Sequence, residues 1–245
     1  MNRLFFIALI LPLQTSLFSQ ETEIKDPVLT ENWSNPPALI RGVKVSTDIP
    51  EDAIILLGKD AASWRTKEGN AIEWVMENGV LTVKPGTGNI YSKASFGDCH
   101  VHLEWRTPSV IKGSGQGRGN SGVFLQSRYE VQILDSYQNE TYYNGQAGSI
   151  YKQKAPLRNA TSAPGEWNTY DIIFKAPVFD LYGNLIEKAR VTVIHNGIIV
   201  QNNTEIQGTT EYIGYPKIEA HGGAPLILQD HGDLVSFRNI WIRRI

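Results

Sequence analysis

The segment Tyr129-Glu-Val-Gln-Ile-Leu-Asp135 alternates polar and apolar residues at the period of a β-strand. Glu130 and Gln132 therefore project from one face, and Tyr129, Val131 and Ile133 from the other. A carboxylate beside an amide, with Asp135 closing the run, can move protons and hold hydroxyl groups. A second run, His100-Val-His-Leu-Glu-Trp-Arg106, sets His100, His102, Glu104 and Arg106 opposite Val101, Leu103 and Trp105. That polar face reads either as part of a ligand surface or as a solvated outer face with ordinary cross-strand ion pairs. A third run, Leu226-Ile-Leu-Gln-Asp-His-Gly-Asp233, is an apolar strand ending in Gln229, Asp230 and His231. A histidine beside a carboxylate titrates near neutrality, so His231 reads as a general base, a metal ligand or a plain strand cap.

Catalysis is thus assigned to Glu130, His231 and Asp135. Substrate binding is assigned to Asn120, Gln132, Glu104, Arg106, His102 and Asp230. The alternation predicts that Glu130 and Gln132 share one surface with His102 and Glu104. No cofactor is called for, and no metal motif such as His-Glu-x-x-His is present. His221-Gly-Gly223, near His231, leaves a loose divalent-metal site open. The loop Gly113–Gly122, GSGQGRGNSG, lacks the Gly-Lys-Ser/Thr ending of a phosphate cradle, and no helix pattern follows it. Its glycines suit either backbone close to a ligand, with Asn120 and Ser121 placed to donate to a sugar hydroxyl, or a plain glycine-rich connection. Ser121 and Ser162 lack a Gly-x-Ser-x-Gly elbow, which argues against a serine hydrolase.

The elements that would carry these residues are short alternating runs separated by Gly, Pro, Asn and Asp, the habit of an antiparallel sandwich. Strands are expected at Ala71–Met76, Val80–Val83, His100–Arg106, Gly122–Gln126, Tyr129–Asp135, Trp167–Lys175, Arg190–His195, Ile198–Gln201, Ala224–Gln229 and Ser236–Arg243. Asn78-Gly79 and Asn196-Gly197 sit between apolar runs and predict type I′ hairpin turns. No segment shows sustained helical periodicity. Pro108–Ser121 and Ser136–Glu166 are long irregular stretches flanking the Glu130 strand, and such loops in a compact domain are usually functional or disordered. Trp167, Tyr170 and Trp241 read as core residues rather than sugar platforms.

The opening residues, with Arg3 before an apolar run from Leu4 to Leu13, have the layout of a secretory signal peptide. Residues 1–20 are expected to be cleaved and the protein exported, to periplasm or medium. Residues 21–49 read as an extension wrapping the domain, and residues 50–245 as that domain. Net charge is −2 with mixed signs, which gives no basic footprint for nucleic acid, and no later segment is apolar enough to enter a membrane. Cys99 is the single cysteine, so no internal disulfide is expected, and its place in a strand predicts a buried, inert thiol.

Six motifs occur in order: Gly119-Asn-Ser-Gly-Val-Phe124, Tyr129–Asp135, Pro164-Gly-Glu-Trp-Asn-Thr-Tyr-Asp171, His195-Asn-Gly197, Leu228-Gln-Asp-His-Gly232 and Phe237-Arg-Asn-Ile-Trp-Ile242. With Leu56-Leu-Gly-Lys-Asp60 and Trp64 ahead of them, the chain from about Ile54 to Arg244 resembles the 3-keto-disaccharide hydrolase domain family. The resemblance implies a concanavalin-like or laminin-G-like jelly-roll sandwich. It also implies a carbohydrate substrate oxidised at C3, cleaved by hydrolysis or by elimination. Two other readings stay open. Glu130-x-Gln132-x-x-Asp135 is a variant of the Glu-x-Asp-x-x-Glu pattern of retaining jelly-roll glucanases, whose carboxyls stand about 5 Å apart. A non-catalytic carbohydrate-binding module would show the same fold.

Overall fold

The computed structural model describes residues 26–36, 38–39 and 49–245. The expected signal peptide and much of the 21–49 extension lie outside the described residues. Two antiparallel sheets pack face to face. The larger runs Ile198–Glu205, Arg190–His195, Asn168–Lys175, Cys99–Arg106, Ser236–Arg244, Val80–Thr82, Val75–Glu77, with Ile54–Leu57 also paired to Ser236–Arg244. The smaller runs Trp64–Arg65, Ile90–Phe96, Ala224–Leu228, Ser121–Leu125, Tyr129–Ile133. Helical structure among the described residues is limited to single 3-10 turns such as Gly115–Gly117 and Tyr143–Gly145. This is the all-β jelly-roll sandwich expected from the sequence.

Alternation decides what fills the space between the sheets. Val101, Leu103 and Trp105 meet Val123, Val131, Ile133 and Leu228 in one core with Tyr170, Phe174 and Phe237. Each such fully buried side chain contributes roughly 1.5–3 kcal/mol through apolar area removed from water. The two Asn-Gly turns form as expected: Asn78 (φ 51°) and Gly79 (φ 79°), like Asn196 (φ 49°) and Gly197 (φ 75°), hold the left-handed pair a type I′ turn requires. Cys99 is buried, and burial pushes its thiol up to about 12, so it is inert.

Several boundaries differ from expectation. Strand Ile90–Phe96 was not foreseen, because its core-facing residues include Ser92 and Ala94, which blur the alternation. The Ala71–Met76 run is extended only from Val75. The Glu130 strand ends at Ile133, two residues early, as Asp135 turns out to meet the glycine-rich loop. The chain at 26–36 lies on the 136–154 segment. Asn144 joins Asn32 (2.8 Å) to the Thr30 carbonyl (2.9 Å), and Trp33 packs edge-on against Tyr142.

Candidate active site

Glu130 projects from the outer face of the strand Tyr129–Ile133, away from the core, and is only 4% exposed. Register sets Phe124 directly across from Glu130 and Gly122 across from Gln132. Glycine at position 122 leaves the space that the Glu130 carboxyl fills, since a Cβ there would run into it. The strand's free edge is closed by the following loop. Gln132 N–H donates to the Ser149 carbonyl (3.0 Å), Tyr151 N–H donates to the Glu130 carbonyl (3.2 Å), and Ile150 bridges Val131. From the opposite sheet, the Tyr170 hydroxyl donates to the Gln132 carbonyl (2.8 Å). The position of Glu130 is therefore fixed by backbone on both sides.

No cation pairs with Glu130 among the described residues, and burial alone pushes its carboxyl up to about 8. Its polar neighbour is Gln132. With its NH2 turned toward acceptors, the Gln132 amide donates to Glu130 Oε1 (3.0 Å) and to the Ser121 carbonyl (2.8 Å). The same amide lies 3.0 Å from Gln116 Oε1 and 3.4 Å from Asn120 Oδ1. Asn120 Nδ2 in turn donates to the Gln116 carbonyl (2.7 Å), while Gln116 Nε2 donates to Thr141 Oγ1 (3.0 Å) and the Gly145 carbonyl (2.9 Å). Beside this amide cluster, the Tyr142 and Tyr151 hydroxyls are 2.6 Å apart. Burial first, and the Glu130 charge to a lesser degree, push Tyr151 up to about 12, leaving it a proton donor.

A cleft of about 600 Å³ opens at the same end of the sandwich. Arg106, Lys112, Arg118, Gly119, Asp135 and Asp233 line it, contributed by the glycine-rich loop, the end of the Glu130 strand and the turn after Gly232. Asn120 links cleft and buried cluster: its N–H donates to Asp233 Oδ2 (2.8 Å), while its side chain joins the amides around Gln132.

The structure separates several residues that the sequence grouped. His102 and Glu104 face outward from the larger sheet and Glu130 and Gln132 from the smaller, so the expected common surface does not exist. Alternation told which residues share a face within a strand but not which sheet each strand joins. His102 and His100 both bond Asp171 Oδ1 (2.8 and 3.1 Å), and Glu104 is held by Arg238 (2.6 Å) and Asn239 (3.0 Å). Arg106 lies at the strand end, its guanidinium over the Trp167 ring (4.7 Å). Trp167 is half-buried outside the core between Arg106 and Arg238, and Trp241 stacks on His102 from outside, so of the three expected core aromatics only Tyr170 belongs there. Asp135 is bound by Arg118 (2.7 Å), with burial pushing its carboxyl up against that attraction. Asp230 accepts the Gly88 and Gly232 N–H groups (2.9 and 3.0 Å) and so staples loops. His231 is exposed. His221 bonds the Tyr129 hydroxyl (2.7 Å), and among the described residues no group of three or more His, Cys, Asp or Glu is arranged to hold a metal ion.

Gln116, Tyr142 and Tyr151 were not singled out from the sequence. The two long irregular loops that carry them were, and loop length was the only signal available.

The profile of a family described as the 3-keto-alpha-glucoside-1,2-lyase-like domain matches residues 52–243. The chain belongs to that family. A crystal structure of a candidate glycosyl hydrolase from Parabacteroides distasonis is 50% identical, covers 86% of this chain and 92% of its own, and superposes with a TM-score of 0.80. A second candidate glycosyl hydrolase from the same organism, 20% identical over 81% of this chain and 99% of its own, superposes at 0.58 and shows the shared fold. No curated protein matches the chain. Family and neighbours together support a carbohydrate-cleaving enzyme.

Proposed function

We propose that this protein cleaves glycosides whose sugar carries a ketone at C3, by elimination across C1 and C2, with Glu130 as the base. The observation that carries the reading is a carboxyl 4% exposed, without a cation, whose pKa is pushed up to about 8. An uncompensated buried carboxyl costs stability, and groups so perturbed concentrate where proton transfer is performed. The family description, a 1,2-lyase of 3-keto-glucosides, supports the same chemistry.

The C3 ketone acidifies the C2 proton. The Glu130 carboxylate removes that proton, and the C2–H electron pair forms the enolate, with charge on the C3 oxygen. Reforming the C3 carbonyl drives the electrons into a C1–C2 double bond and breaks the C1–O bond. The departing oxygen takes up a proton, which protonated Glu130 can return. Addition of water to the resulting enone makes the net outcome hydrolysis. Gln132, Asn120 and Tyr151 offer donors for the developing oxyanion, each held by bonds made before substrate arrives. On the outer face, Arg65, Tyr91, Ile227, Phe124 and Glu130 stand in register across the five strands of the smaller sheet. Strand spacing makes that row about 19 Å long, enough to give a sugar apolar and aromatic surface beside the base.

The double-displacement reading is disfavoured by Asp135, whose carboxylate is committed to Arg118 and the Tyr137 N–H. The decisive experiment compares a 3-keto-glucoside with its unoxidised parent in deuterated water, followed by NMR. Cleavage restricted to the oxidised sugar, with loss of the C2 proton, is expected. Equal cleavage of the parent, or products that keep the C2 proton, would overturn the proposal.

A further inference from the structure

We infer that the cleft at the end of the sandwich binds a carboxylate carried on an apolar body. That this body is the aglycone of the cleaved glycoside rests on the proposed function; the binding itself does not. Three cations line the cleft against two carboxylates. Arg118 is engaged by Asp135 (2.7 Å), and Asp233 accepts the Asn120 N–H (2.8 Å). Arg106 and Lys112 have no carboxylate partner among the described residues, whereas Arg238, which also lies over the Trp167 ring, is held by Glu104. Arg106 is half-buried and rests on Trp167, so its guanidinium is held in one orientation with its N–H groups unspent. A fixed guanidinium suits the planar fork of a carboxylate.

The rim has the opposite character. Val110, Ile111 and Leu234 are 68%, 54% and 52% exposed and put three large apolar side chains at one opening. Gly119, Gly165 and Gly232 form part of the wall. At Gly119 (φ 59°) a side chain would press on Thr107 and the Asp135 Cβ, and Gly232 (φ 90°) faces open space. A neutral sugar would leave the floor cation unanswered, and a purely polar anion would leave the rim exposed. An acid on an aromatic or aliphatic skeleton meets both.

The test is direct binding, by isothermal titration, of phenylacetate and of its neutral isostere phenylacetamide to the full-length wild-type protein. The carboxylate is expected to bind roughly tenfold more tightly, the scale of one charge-assisted hydrogen bond, with a preference that shrinks as salt rises. Arg106→Gln is expected to abolish the preference while a thermal melt stays close to wild type. Should Arg106→Gln fold poorly, Val110→Asp, at an exposed position, is expected to weaken the acid and spare the amide. Equal affinity for acid and amide, or a preference unchanged by both substitutions, would overturn the inference. Repeating the titration on Glu130→Gln separates the two proposals: the preference should persist there even if no 3-keto-glucoside is ever cleaved.

Discussion

The outer faces of the two sheets carry polar clusters of opposite wiring. On the larger sheet, His100 and His102 share Asp171, and Arg238 clasps Glu104. On the smaller sheet, Glu130 has an amide for company and no cation. The carboxyls respond in opposite directions. Burial alone would raise Asp171, but the hydrogen bonds and charges of both histidines overcome it and hold the group at about 2. Burial without such help pushes Glu130 up to about 8. A charge whose partners are supplied is part of the architecture; a buried carboxyl whose partner is missing waits for something from outside.

Glu130→Gln should make the greatest difference. It should slow turnover of a 3-keto-glucoside by about a hundredfold or more at unchanged fold, measured by single-turnover kinetics. Wild-type turnover at that base should rise with pH along a limb near 8, and a limb that falls there instead would make Glu130 the acid. Asp171→Asn should invert the pattern. Losing the shared carboxylate from a largely buried cluster should cost about 3 kcal/mol in denaturant unfolding, with activity per folded molecule retained.

Next in size come two stability limbs of opposite sign. Glu130, raised in the folded state, favours folding fully below its unfolded pKa, and that contribution is lost as pH climbs toward about 8. Asp171, depressed in the folded state, stabilises above its unfolded pKa, and that contribution is lost as pH falls toward about 2. Melting curves of the two variants across pH should each lack one limb, and Glu130→Gln should melt higher than wild type at pH values above about 8. The smallest effect belongs to His231→Ala. An exposed side chain should leave turnover within about twofold of wild type and stability within about 0.5 kcal/mol. A collapse of activity there would move the base from the strand to the loop.

The alternation of Tyr129–Ile133 and Cys99–Arg106 was legible because each strand has one face in a shared core, and the Asn-Gly turns because few sequences tolerate two consecutive left-handed residues. Which strands become neighbours was not legible. Strand pairing between residues about a hundred positions apart is set by packing of the whole sandwich, so the His102 and Glu130 faces looked equivalent in sequence. That Glu130 and Gln132 share one face could be read from spacing, and that Asn120 joins them, from the glycine-rich loop ahead of their neighbouring strand. The engagement of Asp135 by Arg118 could not, because Arg118 reaches it only through the path of the glycine-rich loop. Asp230 looked like half of a proton-transfer pair with His231, yet its carboxylate is spent on two backbone N–H groups.

A primary amide has one oxygen end and one nitrogen end, and Gln132 is gripped at both. If its nitrogen serves Glu130 Oε1 (3.0 Å), its oxygen faces Gln116 Oε1; if its nitrogen serves Gln116 (3.0 Å) and Asn120 (3.4 Å), its oxygen faces Glu130. The first arrangement suits an ionised carboxylate, the second a carboxyl carrying its proton. Gln132 thus spans the two sides of this end of the sandwich, one end of its amide at Glu130 and the other at Gln116 and Asn120. Asn120 stands at the far end of that amide with its backbone on Asp233, in the wall of the cleft. The cleft and the buried carboxyl therefore share a wall, and a substitution at Asn120 touches both.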